Sequence, residues 1–210
     1  GAMNNPRKVL FPLLWVLCGF MLGLLAFRSP QPNQQDIGFL QGMIAHHNQA
    51  VDMAIRLHER LTALNQRSPL QITLKAISFD IQSGQTNQVG QMMGWLHQYG
   101  QPVTGEPMDP SHMGMATPED VKSLSTLPLN DAQNKFLGLM IRHHQGGVKM
   151  AQAAVSTARL PVVRNLAQKI IQAQQNEIEE LTRLLKQQGG EVPTSPQDAT
   201  PGMHHQQDNP

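Results

Sequence analysis

Two adjacent histidines recur in one frame of this chain, His46-His47 and His143-His144. Around them, Met43-Ile44-Ala45-His46-His47-Asn48-Gln49-Ala50-Val51-Asp52-Met53-Ala54 is echoed by Met140-Ile141-Arg142-His143-His144-Gln145-Gly146-Gly147-Val148-Lys149-Met150-Ala151, and Phe39-Leu40 and Phe136-Leu137 precede the two copies. Imidazole and thioether groups are ligands for soft or borderline transition metals rather than for Mg²⁺ or Ca²⁺. Self-similarity over such a span indicates two copies of one structural unit, so the doubled histidines call for a symmetric explanation at a shared interior site.

Helical geometry says where these side chains point. At about 100° per residue, Ala50, Ala54, Leu57 and Leu61 fall near the line of Met43, and His46 and His47 flank it. Asp52 and Lys149 fall on the opposite side, so the inward face of each motif carries His and Met without a carboxylate. Ala50 and Gly147 are small enough to let a facing helix or an ion come close.

A methionine taken alone reads as core, because its flexible thioether fills irregular gaps between helices. Four inward histidines are different. Buried in a small bundle they are costly unless hydrogen-bonded or metallated, which favours a metal site over satisfied core residues. The di-iron pattern of bundle cores needs Glu-x-x-His, which does not occur in this chain. Structural zinc wants thiolates or a compact tetrahedral set. Methionine beside imidazole suits Cu(I), with Ag(I) as a surrogate and Cu(II) tolerated. Acid below the ordinary histidine pKa of about 6.5 is then expected to weaken His-dependent binding. No nucleophile, acid/base pair or organic-cofactor motif is present, so a carrier is expected rather than an enzyme. The rival readings are a copper-dependent oxidase and a metal-free helical scaffold docking on a membrane complex.

The elements that must position these residues are helices. A first helix over residues 36–65, capped by Asp36, carries the first motif. Ser68-Pro69 starts a second, with Leu74, Ile77, Ile81, Val89, Met92, Met93 and Leu96 as its apolar residues and Gly100 as its stop. Thr117-Pro118-Glu119-Asp120 opens a short helix to about Ser125. Asn130 caps the helix over residues 131–158 that holds the second motif, and Leu160-Pro161 turns the chain into a last helix over 162–188, ended by Gly189-Gly190. Gln85, Asn87, Val89 and Met92 match Gln174, Asn176, Ile178 and Leu181, so the repeat is a whole hairpin. Two such hairpins predict an all-α, antiparallel four-helix bundle over residues 36–188. Residues 101–117 form a Met/His loop in which Met108, His112, Met113 and Met115 either wrap one ion or are incidental to a linker. Met93 reads as core, His97 as a surface residue and His58 as solvated. Residues 189–210 read as a disordered tail containing Met203-His204-His205.

Composition bounds the rest. A formal net charge of +1 and only 2 Trp, 1 Tyr and 6 Phe leave no basis for nucleic-acid binding. The single cysteine, Cys18, excludes a disulfide and a thiolate metal site from the bundle. Gly1 and Ala2 read as a cloning remnant ahead of Met3, and residues 1–8 as a short basic N-terminus. Residues 9–28 read as a transmembrane or signal-anchor helix, since the apolar run 9–27 spans roughly 28 Å against a hydrocarbon core of about 30 Å. Without an Ala-x-Ala site before Arg28-Ser29-Pro30, an uncleaved anchor is expected, followed by a linker over 29–35. Arg7 and Lys8 favour a cytoplasmic N-terminus, which puts the bundle outside the cytoplasm.

The doubled Phe-Leu-x-x-Met-Ile-x-His-His-x-x-x-Val-x-Met-Ala pattern, the Met/His-containing loop and the Trp95-Leu96 ending of the first hairpin resemble the domain of unknown function 305 family, and within it the cyanobacterial periplasmic copper-binding members. The second hairpin lacks the Trp-Leu ending. The resemblance implies a ferritin-like four-helix fold and periplasmic copper binding linked to metal resistance. It also implies ligands drawn from Met43, His46, His47, Met53, Met140, His143, His144 and Met150, with His112, Met113 and Met115 as further candidates.

Overall fold

The computed structural model describes residues 30–106 and 113–197. The chain divides into two units between Gln31 and Pro32, and the helices described below all belong to the second. The expected membrane helix over 9–28, the loop residues Met108 and His112, and the tail motif Met203-His204-His205 lie outside the described residues. Among those described, no helix is long and apolar enough to cross a membrane.

All the regular structure described is helical: α1 (Gln34–Thr62), α2 (Pro69–Gln98), α3 (Pro118–Ser123), α4 (Leu129–Thr157) and α5 (Pro161–Gln187). Local chemistry sets the ends. Asn33, not Asp36, caps α1: its side chain accepts from the Asp36 N–H at 2.7 Å, and its own N–H donates back to the Asp36 carboxylate at 2.8 Å. The fully buried Asp36 also has a second task, because its carboxylate accepts from the N–H groups of Arg159 at 3.3 Å and Leu160 at 3.1 Å. The start of α1 is thereby tied to the α4–α5 turn. Ser68 caps α2 as expected, with Gln71 closing the box, and Gly100 ends it at a φ of 64° that favours glycine. Thr117 caps α3. Helix α4 begins one residue before Asn130, behind Pro128 and without a side-chain cap, and the Asn130 carboxamide oxygen instead accepts from Gln133 Nε2 at 3.1 Å.

Helix α1 packs along α2, α4 packs along α5, and the two hairpins meet through α1 and α4. Two apolar clusters set the direction. One gathers Met53, Leu57 and Leu61 from the end of α1 with Phe136, Leu137 and Met140 from the start of α4, plus Leu74, Ile81, Leu181 and Leu185. The other gathers Phe39, Leu40 and Met43 from the start of α1 with Ala151, Ala154 and Ala158 at the end of α4, plus Met92, Leu96, Leu166 and Ile170. Helices α1 and α4 are therefore antiparallel. Each buried Leu or Ile contributes roughly 1.5–3 kcal/mol, so the clusters offset the burial of polar groups between them.

Those polar groups form one layer. Reading along any of the four long helices, one cluster gives way to the other at the same level, where the buried residues are His46 and His47 on α1, Gln85 on α2, His143 and His144 on α4, and Gln174 on α5.

Three minor expectations fail. Met93 is 43% exposed, not core. His58 is half-buried and its Nδ1 lies 3.1 Å from the Lys75 carbonyl and 3.2 Å from Ser78 Oγ, so it is only partly solvated. The segment after Gly190 is placed as far as Gln197: Val192 packs on the first cluster and the Pro193 carbonyl accepts from Gln145 Nε2 at 2.9 Å.

Candidate metal centre

The layer is built twice, once by each hairpin. His46 and His47 have ring centroids 6.3 Å apart, and His143 and His144 6.2 Å apart. The His46 and His143 rings stack on each other at 3.7 Å and 24°. All four are fully buried. The stack crosses the junction between the hairpins, so it marks the local two-fold relation between the repeats.

Their outer nitrogens are held by acceptors. His46 Nε2 donates to the Met113 carbonyl at 3.0 Å, His47 Nε2 to the Gln88 side-chain oxygen at 2.7 Å, and His144 Nε2 to the Glu177 carboxylate at 2.6 Å. A carbonyl or carboxylate only accepts, so each of these Nε2 atoms carries a proton, and in a neutral ring the bare lone pair is then on Nδ1. None of those three Nδ1 atoms has a hydrogen-bond partner, and neither does either ring nitrogen of His143 or any side-chain amide atom of Gln85 and Gln174. An unmet buried polar atom costs on the order of 1–3 kcal/mol. This concentration in one layer singles the layer out as the candidate metal centre.

The electrostatics keep the lone pairs available. Burial pushes His46 down to about 3, helped by the neighbouring His47. Burial pushes His47 down to about 4, against the hydrogen bond to Gln88. His143 is held well below the ordinary value, again by burial first and then by His46 and His144; the approach of the His46 backbone pulls the other way without reaching hydrogen-bond geometry. The ordinary value of about 6.5 therefore does not govern His46, His47 or His143.

A surface segment closes the layer. Gly146 lies directly beneath Met113, where a Cβ would collide with the Met113 carbonyl, and Gly114 at φ 67° lies against the Arg142 carbonyl in the same way. Gln49 clamps the next residues, donating to the Ala116 carbonyl at 3.0 Å and accepting its N–H at 2.7 Å. These contacts set the Met113 carbonyl on His46. Among the described residues of the loop, the contribution to the layer is thus a backbone oxygen. Met113 is buried, Met115 is half-buried, and the Met115 carbonyl accepts from Arg142 at 3.4 Å.

Met43 and Met140 are fully buried one helical turn before their histidines, on opposite sides of the layer. Met53 is fully buried in the first cluster, and Met150 is half-buried against the second, each six residues beyond its motif's second histidine. Among the described residues, no group of three or more His, Cys, Asp or Glu side chains is gathered tightly enough to hold an ion as it stands. The donors that fit are neutral imidazoles with thioethers beside them, a set for a soft cation.

Glu177, Gln88, Gln85 and Gln174 are the functional candidates that inspection of single helix faces missed. Glu177 overturns the expectation of a layer without a carboxylate, because it enters from α5 rather than from the helices that carry the motifs. The Gln85–Gln174 register match was the available signal.

The family model described as Domain of unknown function (DUF305) matches residues 36–185. The chain belongs to this family. Among solved structures, a DUF305 fragment from Deinococcus radiodurans is 39% identical, with 75% of this chain and 99% of that one covered and a TM-score of 0.65. A candidate secreted DUF305 protein from Streptomyces coelicolor is 32% identical over 81% of this chain and 97% of that one, TM-score 0.67. CopM in its Cu(I)-bound form is 25% identical over 73% of this DUF305 chain and 96% of its own, TM-score 0.56. Structures of CopM bound to Cu(II) and to Ag match similarly. No curated protein matches the chain.

Proposed function

We propose that this DUF305 protein binds copper, sequestering or passing on Cu(I) outside the cytoplasm and contributing to copper resistance, with Cu(II) or Ag(I) as alternative cargo and no catalytic turnover. The observation that carries the reading is the set of unpartnered Nδ1 atoms on His46, His47 and His144. Each belongs to an imidazole whose other nitrogen donates to a carbonyl, amide or carboxylate oxygen, the arrangement that orients metal-ligating histidines and fixes their tautomer. Met43 and Met140 supply the thioethers that favour Cu(I) over zinc. The match to CopM, solved with Cu(I), Cu(II) and Ag, supports the choice of metal. The Streptomyces coelicolor relative, described as a candidate secreted protein, is in keeping with an extracytoplasmic place.

The test is competition for Cu(I) against a strong chelator, for the protein and for a variant with His46, His47, His143 and His144 all changed to Leu, after circular dichroism has shown the variant helical. The protein is expected to hold copper and the folded variant to lose it. Equal binding by both would return the histidines to a structural role.

A further inference from the structure

The two halves of the layer are not equivalent. Position for position, Gln88 of the first hairpin corresponds to Glu177 of the second, as Gln85 corresponds to Gln174, and each reaches the second histidine of its own hairpin's motif. His47 thus leans on a neutral amide at 2.7 Å, whereas His144 leans on a carboxylate at 2.6 Å.

Resting on the metal-binding reading, we propose that the centre loads in order, with the second half taking the first soft cation through His144 because Glu177 is its positioning residue. A carboxylate behind an imidazole makes the far nitrogen a better donor and supplies negative charge to a cation entering a layer of neutral ligands. Gln88 orients His47 in the same way without a charge of its own, and the Glu177 charge reaches His47 only as the weakest of the influences on that ring. The other charges nearby do not cancel the difference. Arg142, the buried cation of the second motif, faces the Met115 carbonyl and acts on Asp120, which also holds Lys135 at 2.8 Å. Asp52 is engaged by Arg56 at 2.8 Å, and Lys149 is exposed. With 31% of its side chain exposed, Glu177 keeps part of its hydration, so its charge is not stranded in the interior before metal arrives.

Outer partners of this kind typically alter metal affinity about 10- to 100-fold. The experiment is a titration of the full chain with Ag(I) ions, followed by the imidazole ¹⁵N resonances of each histidine. In the unaltered protein the His144 signals are expected to move at substoichiometric Ag(I), ahead of those of His47. Glu177→Gln should lower the tighter affinity about 10- to 100-fold and merge the two steps. The exchange variant Gln88→Glu/Glu177→Gln keeps the same side chains in the layer and should reverse the order, a result that a purely structural role for Glu177 would not produce. Simultaneous movement of both signals in the unaltered protein, or the same order in the exchange variant, would overturn the proposal while leaving metal binding intact. No Ag(I)-dependent shift at any of the four buried histidines would overturn the metal-binding reading and the loading order with it.

Discussion

The His46 and His143 imidazoles lie face to face with centroids 3.7 Å apart, one from each repeat. Two stacked, fully buried rings cannot both carry a positive charge without strong mutual repulsion, and burial alone already disfavours charge on either. The contact at the junction of the hairpins therefore needs at least one neutral ring, and burial favours both being neutral. Stability and metal binding consequently respond to acid in different ranges.

Stability of the metal-free protein should fall as the pH drops below about 6.5. In the unfolded chain each histidine takes up a proton near its ordinary value, whereas in the folded chain His46 resists until about 3 and His47 until about 4. The unfolded state then binds more protons, so each such group removes about 1.4 kcal/mol of stability per pH unit within that window and nothing above it. Urea unfolding midpoints measured from pH ~7.5 to ~4.5 should decline steeply below ~6.5. The four-leucine variant should decline less; an equal decline would mean that other groups govern the acid response.

Copper affinity should behave differently. A proton competes with a metal only where the folded site binds that proton, and burial has moved this competition at His46 and His47 to about 3 and 4. In a His144→Leu variant, which leaves the shifted rings of the layer, the Cu(I) dissociation constant, corrected for the chelator's own pH dependence, should stay nearly level from about pH 7.5 to 5. A tenfold loss per pH unit starting near 6.5 in that variant would show that histidines outside the layer carry its copper.

Gly146→Ala and Gly147→Ala separate backbone from side-chain crowding. A Cβ at 146 meets the Met113 carbonyl and the Gly114 backbone, which cannot move without releasing the acceptor of His46. At 147 it meets the Gln174 amide, the end of a flexible side chain, and His46 Cε1 at 3.0 Å. Overpacking of the first kind costs about 1–3 kcal/mol, and Gly147→Ala should cost less. Thermal unfolding ranks the two, and the reverse order would mean that the 113–116 segment yields more easily than the layer.

Much of this fold could be read from the chain because the repeat and the apolar periodicity carry it: the helices appear within a few residues of their expected ends, and His46, His47, His143 and His144 are buried together as the doubled motif implied. The misses have physical reasons. Asp36 resembles a cap, but Asn33 takes that place and leaves the carboxylate to bind the Arg159 and Leu160 N–H groups, 123 and 124 residues away. Met93 is indistinguishable from Met92 by composition, and only the position of α1 decides which one is covered. Gln85, Gln174 and Glu177 look like solvated residues of polar helices until tertiary packing buries the first two and brings the third to His144. The close approach of Gly146 to Met113 is a tertiary contact with no local signature.

Conservative methionine changes should divide the sulfur ligands by distance from the layer. Met43 and Met140 precede the first histidine of their motifs by three residues and the second by four, which places them on the same helix face about one turn away. Met53 and Met150 follow the second histidine by six residues, roughly 9 Å along the axis. Because α1 and α4 run in opposite directions, Met150 lies beyond Met43 on the same side of the layer, and Met53 lies beyond Met140 on the other. Met→Leu nearly conserves volume and costs less than about 1.5 kcal/mol, so folding should survive at all four positions. Met43→Leu and Met140→Leu should each weaken Cu(I) binding by on the order of tenfold, equivalent to about 1.4 kcal/mol, while Met53→Leu and Met150→Leu leave it unchanged. Chelator competition on the four variants reads this directly. If the outer pair lost as much affinity as the inner pair, copper would have to lie outside the histidine layer, in the apolar clusters where the outer methionines pack.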